Sequence, residues 1–143
     1  MEYGIIKPGY MKRTSLIILL YLLGFSSFAQ KMELIEDKDQ IIERAKAELD
    51  QAMIPPEGSI YLYTLKHPIK GEYTFDISIR EKGIVISTFA VESKNGTIEA
   101  QNSFKSYLMT FRFNFKMPKG KSYKFRHTFI FNWSPEIYSI IKH

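Results

Sequence analysis

The sequence predicts an α+β fold: a three- to four-stranded antiparallel sheet with one helix packed on a face, preceded by an N-terminal amphipathic helix. Three observations predict it. The segments Gly71 to Arg80 and Lys121 to Asn132 alternate apolar and polar residues with the period of two that a half-buried strand requires. Met32 to Met53 and Ile98 to Phe111 instead space their apolar residues by three and four, the period of a helix lying on a core. Proline, glycine and asparagine stand at the changes of period, where the chain must turn.

The first element is a targeting segment. Lys12 and Arg13 make a positive start, and Leu16 to Phe28 is an apolar run of 13 residues, the length of a signal-peptide core and short for a bilayer-spanning helix. Ser27 and Ala29 supply the small residues of a cleavage site, so residues 1–29 are read as a signal peptide and Gln30 as the processed N-terminus. The ten residues before Met11 fit no part of that pattern, which places the start of translation at Met11. Residues 30–57 follow as an amphipathic helix and linker, and residues 58–143 as the α+β domain.

In the helix, Leu34, Ile35, Ile41, Ile42, Ala45, Leu49, Ala52 and Met53 share a face until Pro55 and Pro56 end it. Ser59 to Lys66 is expected to be a strand, with His67 to Lys70 leading out of it. Along Gly71 to Arg80, Tyr73, Phe75, Ile77 and Ile79 face a core while Thr74, Asp76, Ser78 and Arg80 face water. Glu81, Lys82 and Gly83 turn the chain, and Ile84 to Glu92 returns as the second half of a hairpin. Asn95 and Gly96 turn it again, and Thr97 is placed to cap a helix whose buried face carries Ala100, Phe104, Tyr107, Leu108 and Phe111.

Beyond that helix, Phe111, Phe113, Phe115 and Met117 alternate with polar residues up to the Pro118 to Gly120 turn. Lys121 to Asn132 carries the strongest strand pattern, with Tyr123, Phe125, His127, Phe129 and Phe131 inward. Ser122, Lys124, Arg126 and Thr128 point outward. Ser134 and Pro135 read as the cap and first position of a short tail helix bearing Ile137, Ile140 and Ile141.

Composition excludes several chemistries. There is no cysteine, hence no disulfide framework, thiolate nucleophile, thiolate metal site or lipid-modified cysteine. His67 lies in a turn, His143 ends the chain and His127 falls among the inward aromatics, so no spacing of metal ligands arises and no cofactor is expected. Asp76 and Glu92 sit on the hairpin strands as surface groups, and neither a nucleophile-elbow serine nor a glycine-rich phosphate loop is present. The chain is read as no enzyme.

The net charge of +5 conceals an asymmetry. Residues 31–57 hold 4 basic and 8 acidic side chains (−4), whereas residues 58–143 hold 13 basic and 6 acidic (+7). The β-rich part is thus the cationic part, which favours an acidic partner. Nucleic acid is not expected, because the cations are spread and the aromatics of the last strand face the core instead of the Lys124 and Arg126 side.

The stretches GEYTFDISIREKGIV, IEAQNSFKSYLMTFRF and FKMPKGKSYKFRHTFIFN follow the order strand, turn, strand, helix, aromatic strand. In that order, over residues 71–132, the chain resembles the C-terminal domain of the TonB energy-transducer family. Members of that family carry an uncleaved anchor and a proline-rich spacer; this chain offers a cleavable signal and only Pro55 and Pro56. What the resemblance implies is therefore the fold and its use as a protein-binding module. The expected function is an exported, non-enzymatic interaction domain of the bacterial envelope, periplasmic or extracellular and with no membrane anchor after cleavage. It binds an envelope protein or peptide of acidic character by strand addition, with Ser122, Lys124, Arg126 and Thr128 as the partner-binding surface. The alternative is a small secreted enzyme or ligand-binding protein with a pocket between sheet and helix.

Overall fold

A computed structural model of the chain describes residues 31–132. The expected signal peptide and cleavage site, and the tail helix from Ser134, lie outside the described residues.

The fold is α+β. Along the chain come β1 (Glu33–Leu34), α1 (Lys38–Ala52), α2 (Ser59–Lys66), β2 (Gly71–Arg80), a short 3-10 turn (Glu81–Gly83), β3 (Ile84–Lys94), α3 (Ile98–Leu108), β4 (Phe115–Lys116) and β5 (Ser122–Phe131). The main sheet has three antiparallel strands in the order β3-β2-β5, and β1 pairs in parallel with β4 as a separate two-stranded piece.

The alternation of β2 decides the orientation of the sheet. Tyr73, Phe75, Ile77 and Ile79 are buried, while Thr74, Asp76 and Ser78 on the other parity are partly open to solvent. β5 runs beside β2 in unbroken register from Gly71 opposite Phe131 to Arg80 opposite Ser122, so its inward Phe125, Phe129 and Phe131 extend the same apolar face. β3 pairs less regularly, with bulges that leave Ile86 and Val91 out of register. At the turn between β2 and β3, Lys82 and Gly83 both take positive φ (64° and 67°), and a Cβ on Gly83 would lie 2.6 Å from the Phe113 carbonyl oxygen.

α3 covers that face. The Thr97 hydroxyl accepts the Ala100 N–H at 3.1 Å and opens the helix as expected, and the helix closes at Leu108, before Phe111. Its Phe104 ring meets Phe75, Phe129 and Phe131 edge-on, at centroid distances of 5.8, 4.9 and 5.1 Å. α1 is capped by the Asp37 carboxylate, which accepts the Gln40 N–H at 2.9 Å, and it buries Ile41, Ala45, Leu49 and Ala52 in the same core. That helix is therefore docked on the sheet domain.

Ser59 to Lys66 is a helix, which corrects the strand expected there. Its buried residues are Ile60, Tyr61 and Thr64, spaced as one side of a helix, with Leu62 and Leu65 exposed. β-branched and aromatic residues gave the segment strand propensity, but packing against α1 decides its form. The alternation around Phe113, Phe115 and Met117 does correspond to burial, since all three are in the core, yet only Phe115 and Lys116 form a strand.

Candidate functional site

The structure brings the four predicted partner-binding residues to one lane. Ser122, Lys124, Arg126 and Thr128 are all exposed on the open face of β5, opposite the core. Two of them are already engaged across the sheet. Arg126 donates from Nε and an Nη to both carboxylate oxygens of Asp76, at 2.9 and 3.1 Å, and the Thr128 and Thr74 hydroxyls are 2.8 Å apart. Hydrogen bonding from Arg126 holds the Asp76 carboxyl below the usual carboxylate range. Lys124 makes no ion pair among the described residues, though its charge also helps to lower the Asp76 pKa.

The rest of the open face is graded. Phe89 stands opposite Asp76 at 68% exposure, and Ile86 and Val91 accompany it on β3. Polar Thr74, Asp76 and Ser78 occupy the middle, and β5 supplies the cations. Glu92 lies 3.7 Å from Lys94 at the far end, so Asp76 and Glu92 each have a cation of their own.

The two edges of the sheet differ. β3 is interrupted by its bulges, bridged at Ile84 by Arg112, and flanked by α3, whose Lys105 carbonyl accepts a 3.4 Å hydrogen bond from the buried Thr88 hydroxyl. β5 is ten residues long and unbulged, and among the described residues no strand pairs with its outer side. A regular strand with a free row of backbone donors and acceptors is a template for another strand.

α1 runs beneath that margin. The Lys38 ammonium is 5.9 Å from the Tyr123 ring centre, and twelve residues further along the helix Asp50 Oδ1 is 3.0 Å from His127 Nε2. Helix and strand therefore travel side by side in the same direction. His127 is half-buried, not a free surface group; its desolvation lowers its pKa below the ordinary imidazole range, with Asp50 opposing that shift and Lys46 adding to it. Sequence parity had placed His127 inward, but no linear signal joins it to Asp50 or Tyr123 to Lys38, since these pairs are separated by more than seventy positions.

The space between sheet and helices is filled by Phe75, Ile77, Phe104 and Phe129, each at most 1% exposed. Two clefts among the described residues lie elsewhere. One of about 500 Å³ is bounded by Arg44, Glu48, Pro55, Pro56 and Asn114, and one of about 370 Å³ by Tyr63, His67, Thr97, Glu99 and Ser103. In the first, Glu48 accepts both Arg44 Nε and the Asn114 N–H, at 2.9 and 2.8 Å, so its carboxylate is occupied in joining α1 to the segment before β4. In the second, His67 stacks on Tyr63 at 4.7 Å and Tyr63 on Tyr107 at 4.2 Å. Among the described residues no group of three or more His, Asp or Glu could hold a metal ion, and no helix is long and apolar enough to cross a membrane.

No family model, no curated protein and no solved structure matches this chain.

Proposed function

We propose that this chain is a non-enzymatic, exported interaction domain of the cell envelope that captures an extended acidic segment of a partner by strand addition to β5. One observation carries the reading: a ten-residue, unbulged edge strand with its outer side unpaired among the described residues, backed by a filled core. Main-chain pairing supplies affinity and register. Lys124 supplies the preference for acidic sequence and a salt-sensitive approach.

Amide hydrogen exchange tests the proposal with two defined probes, ten-residue peptides alternating Glu with Thr or Lys with Thr. The acidic peptide is expected to slow exchange along β5, less so at high salt and less so in Lys124→Glu. Equal protection by both peptides, or acidic binding that leaves the β5 amides unprotected, would overturn it.

A further inference from the structure

The flank of α1 beside β5 gives the added strand a second wall, and with it a rule for the partner's sequence. Side chains of an added strand alternate between the two faces of the sheet, as those of β5 do. On the open face they would stand beside Lys124. On the core side they would overhang the margin where β5 meets α1, and that margin has a definite chemistry. Tyr123 and Ile42 are both partly buried apolar residues packed against the core yet still open to the outside. Lys38, Ile42, Lys46 and Asp50 follow one another at four-residue intervals along that flank, so Ile42 lies between the Lys38 contact with Tyr123 and the Asp50 contact with His127.

Asp50 lies 3.0 Å from His127 Nε2 and the Lys38 ammonium stands over the Tyr123 ring, while Lys46 on the same flank is exposed and makes no ion pair among the described residues. Asp39 and Glu43 are exposed further round the helix. The floor offers the Tyr123 ring and the Ile42 side chain, apolar but for the Tyr123 hydroxyl, and burying an unpaired polar side chain against them would be unfavourable. We infer that the strand added to β5 is itself two-faced, acidic towards the open face and apolar towards α1, with its apolar side chains seated on Tyr123 and Ile42.

This rests on strand addition at β5, and the test separates the two. The full-length chain is titrated with a ten-residue peptide alternating Glu with Val, and with the Glu and Thr peptide, which has nearly the same shape and strand propensity but carries a hydroxyl in place of a methyl. The Val peptide is expected to bind about tenfold or more tightly. Ile42→Ser and Tyr123→Ser should each erase most of that advantage while leaving binding of the Thr peptide, and the β5 amide protection it causes, in place. Protection of β5 by both peptides at equal affinity would overturn the apolar shelf and leave strand addition standing. A Val advantage untouched by either variant would place the apolar contacts elsewhere and overturn it too. Absence of β5 protection with either peptide would overturn both readings, and protection that rises with protein concentration in the absence of peptide would assign the edge to a second copy of the chain.

Discussion

Shortening Phe104 to alanine tests the contact that holds α3 to the sheet. The ring is fully buried and meets Phe75, Phe129 and Phe131 edge-on, so its removal leaves a hole lined by other rings that are themselves fixed in strands. Truncation of a buried phenylalanine costs about 3–5 kcal/mol, the larger values arising where neighbours cannot collapse. Three edge contacts, each worth about 0.5–1.5 kcal/mol beyond area burial, put this position towards the upper end. Against a domain stability of about 5–15 kcal/mol, that is a large share. With a urea dependence of about 2 kcal/mol per molar, a loss of about 4 kcal/mol lowers the unfolding midpoint by about 2 M at unchanged slope. Circular dichroism during urea titration of Phe104→Ala measures it, and exposed Asn102→Ala is the control, expected to stay within about 0.5 kcal/mol. A midpoint shift for Phe104→Ala below about 0.5 M, equivalent to about 1 kcal/mol, would refute the packing described.

Two further perturbations read other parts of the molecule. Because burial depresses the His127 pKa in the folded chain, the unfolded chain binds a proton near pH 6.5 that the folded chain resists; the contribution of neutral His127 is complete above about pH 6.5 and is lost as pH falls through that value towards the folded-state pKa. Melting temperature followed from about pH 8 down to about pH 5 should therefore fall less steeply in His127→Phe than in the parent, and identical slopes would contradict this linkage. A Cβ on Gly96 would overlap the Tyr73 hydroxyl, which donates to the Lys70 carbonyl at 2.8 Å and accepts the Thr97 N–H at 3.3 Å. Gly96→Ala should thus cost about 1–3 kcal/mol in thermal unfolding, and an unchanged melting temperature would show that the Tyr73 anchor is not rigid.

The strands of the sheet were legible wherever one side faces a core and the other faces water. In β2 the alternation of GEYTFDISIR corresponds residue by residue to burial, and in β5 only the intensity varies, with Tyr123 and His127 half-buried at the margin. α3 was legible through Thr97 and the spacing of Ala100, Phe104, Tyr107 and Leu108. Ser59 to Lys66 was misread because over eight residues the two periods share too many positions, and β-branched and aromatic residues carry strand propensity that packing can override. Two-residue strands such as β1 and β4 have no period to detect. At the site, parity alone put Ser122, Lys124, Arg126 and Thr128 on the open lane. That Arg126 is held by Asp76 depends on the β2 to β5 register, which alternation within each strand leaves undetermined.

The position of α1 links the proposed binding edge to stability. A strand at the rim of a three-stranded sheet has one neighbour, and β5 obtains its hydrogen bonds from β2 alone among the described residues. Its remaining support comes from beneath. Phe125 and Phe129 anchor the inward face, and the contacts of Lys38 with Tyr123 and Asp50 with His127 tie the margin to a helix whose own apolar stripe is buried. Side-chain support of this kind reaches the strand from beneath without using its backbone groups. Opposite, β3 is relieved of regular pairing by bulges and is flanked by Arg112 and α3. An unbulged edge strand supported from below, with no strand on its outer side among the described residues, would present a partner with a preformed template, and less ordering entropy would then be lost on association. It follows from the proposed strand addition that loosening α1 should weaken binding at β5, because the helix packs into the same core as the sheet and contacts the strand's margin at Tyr123 and His127.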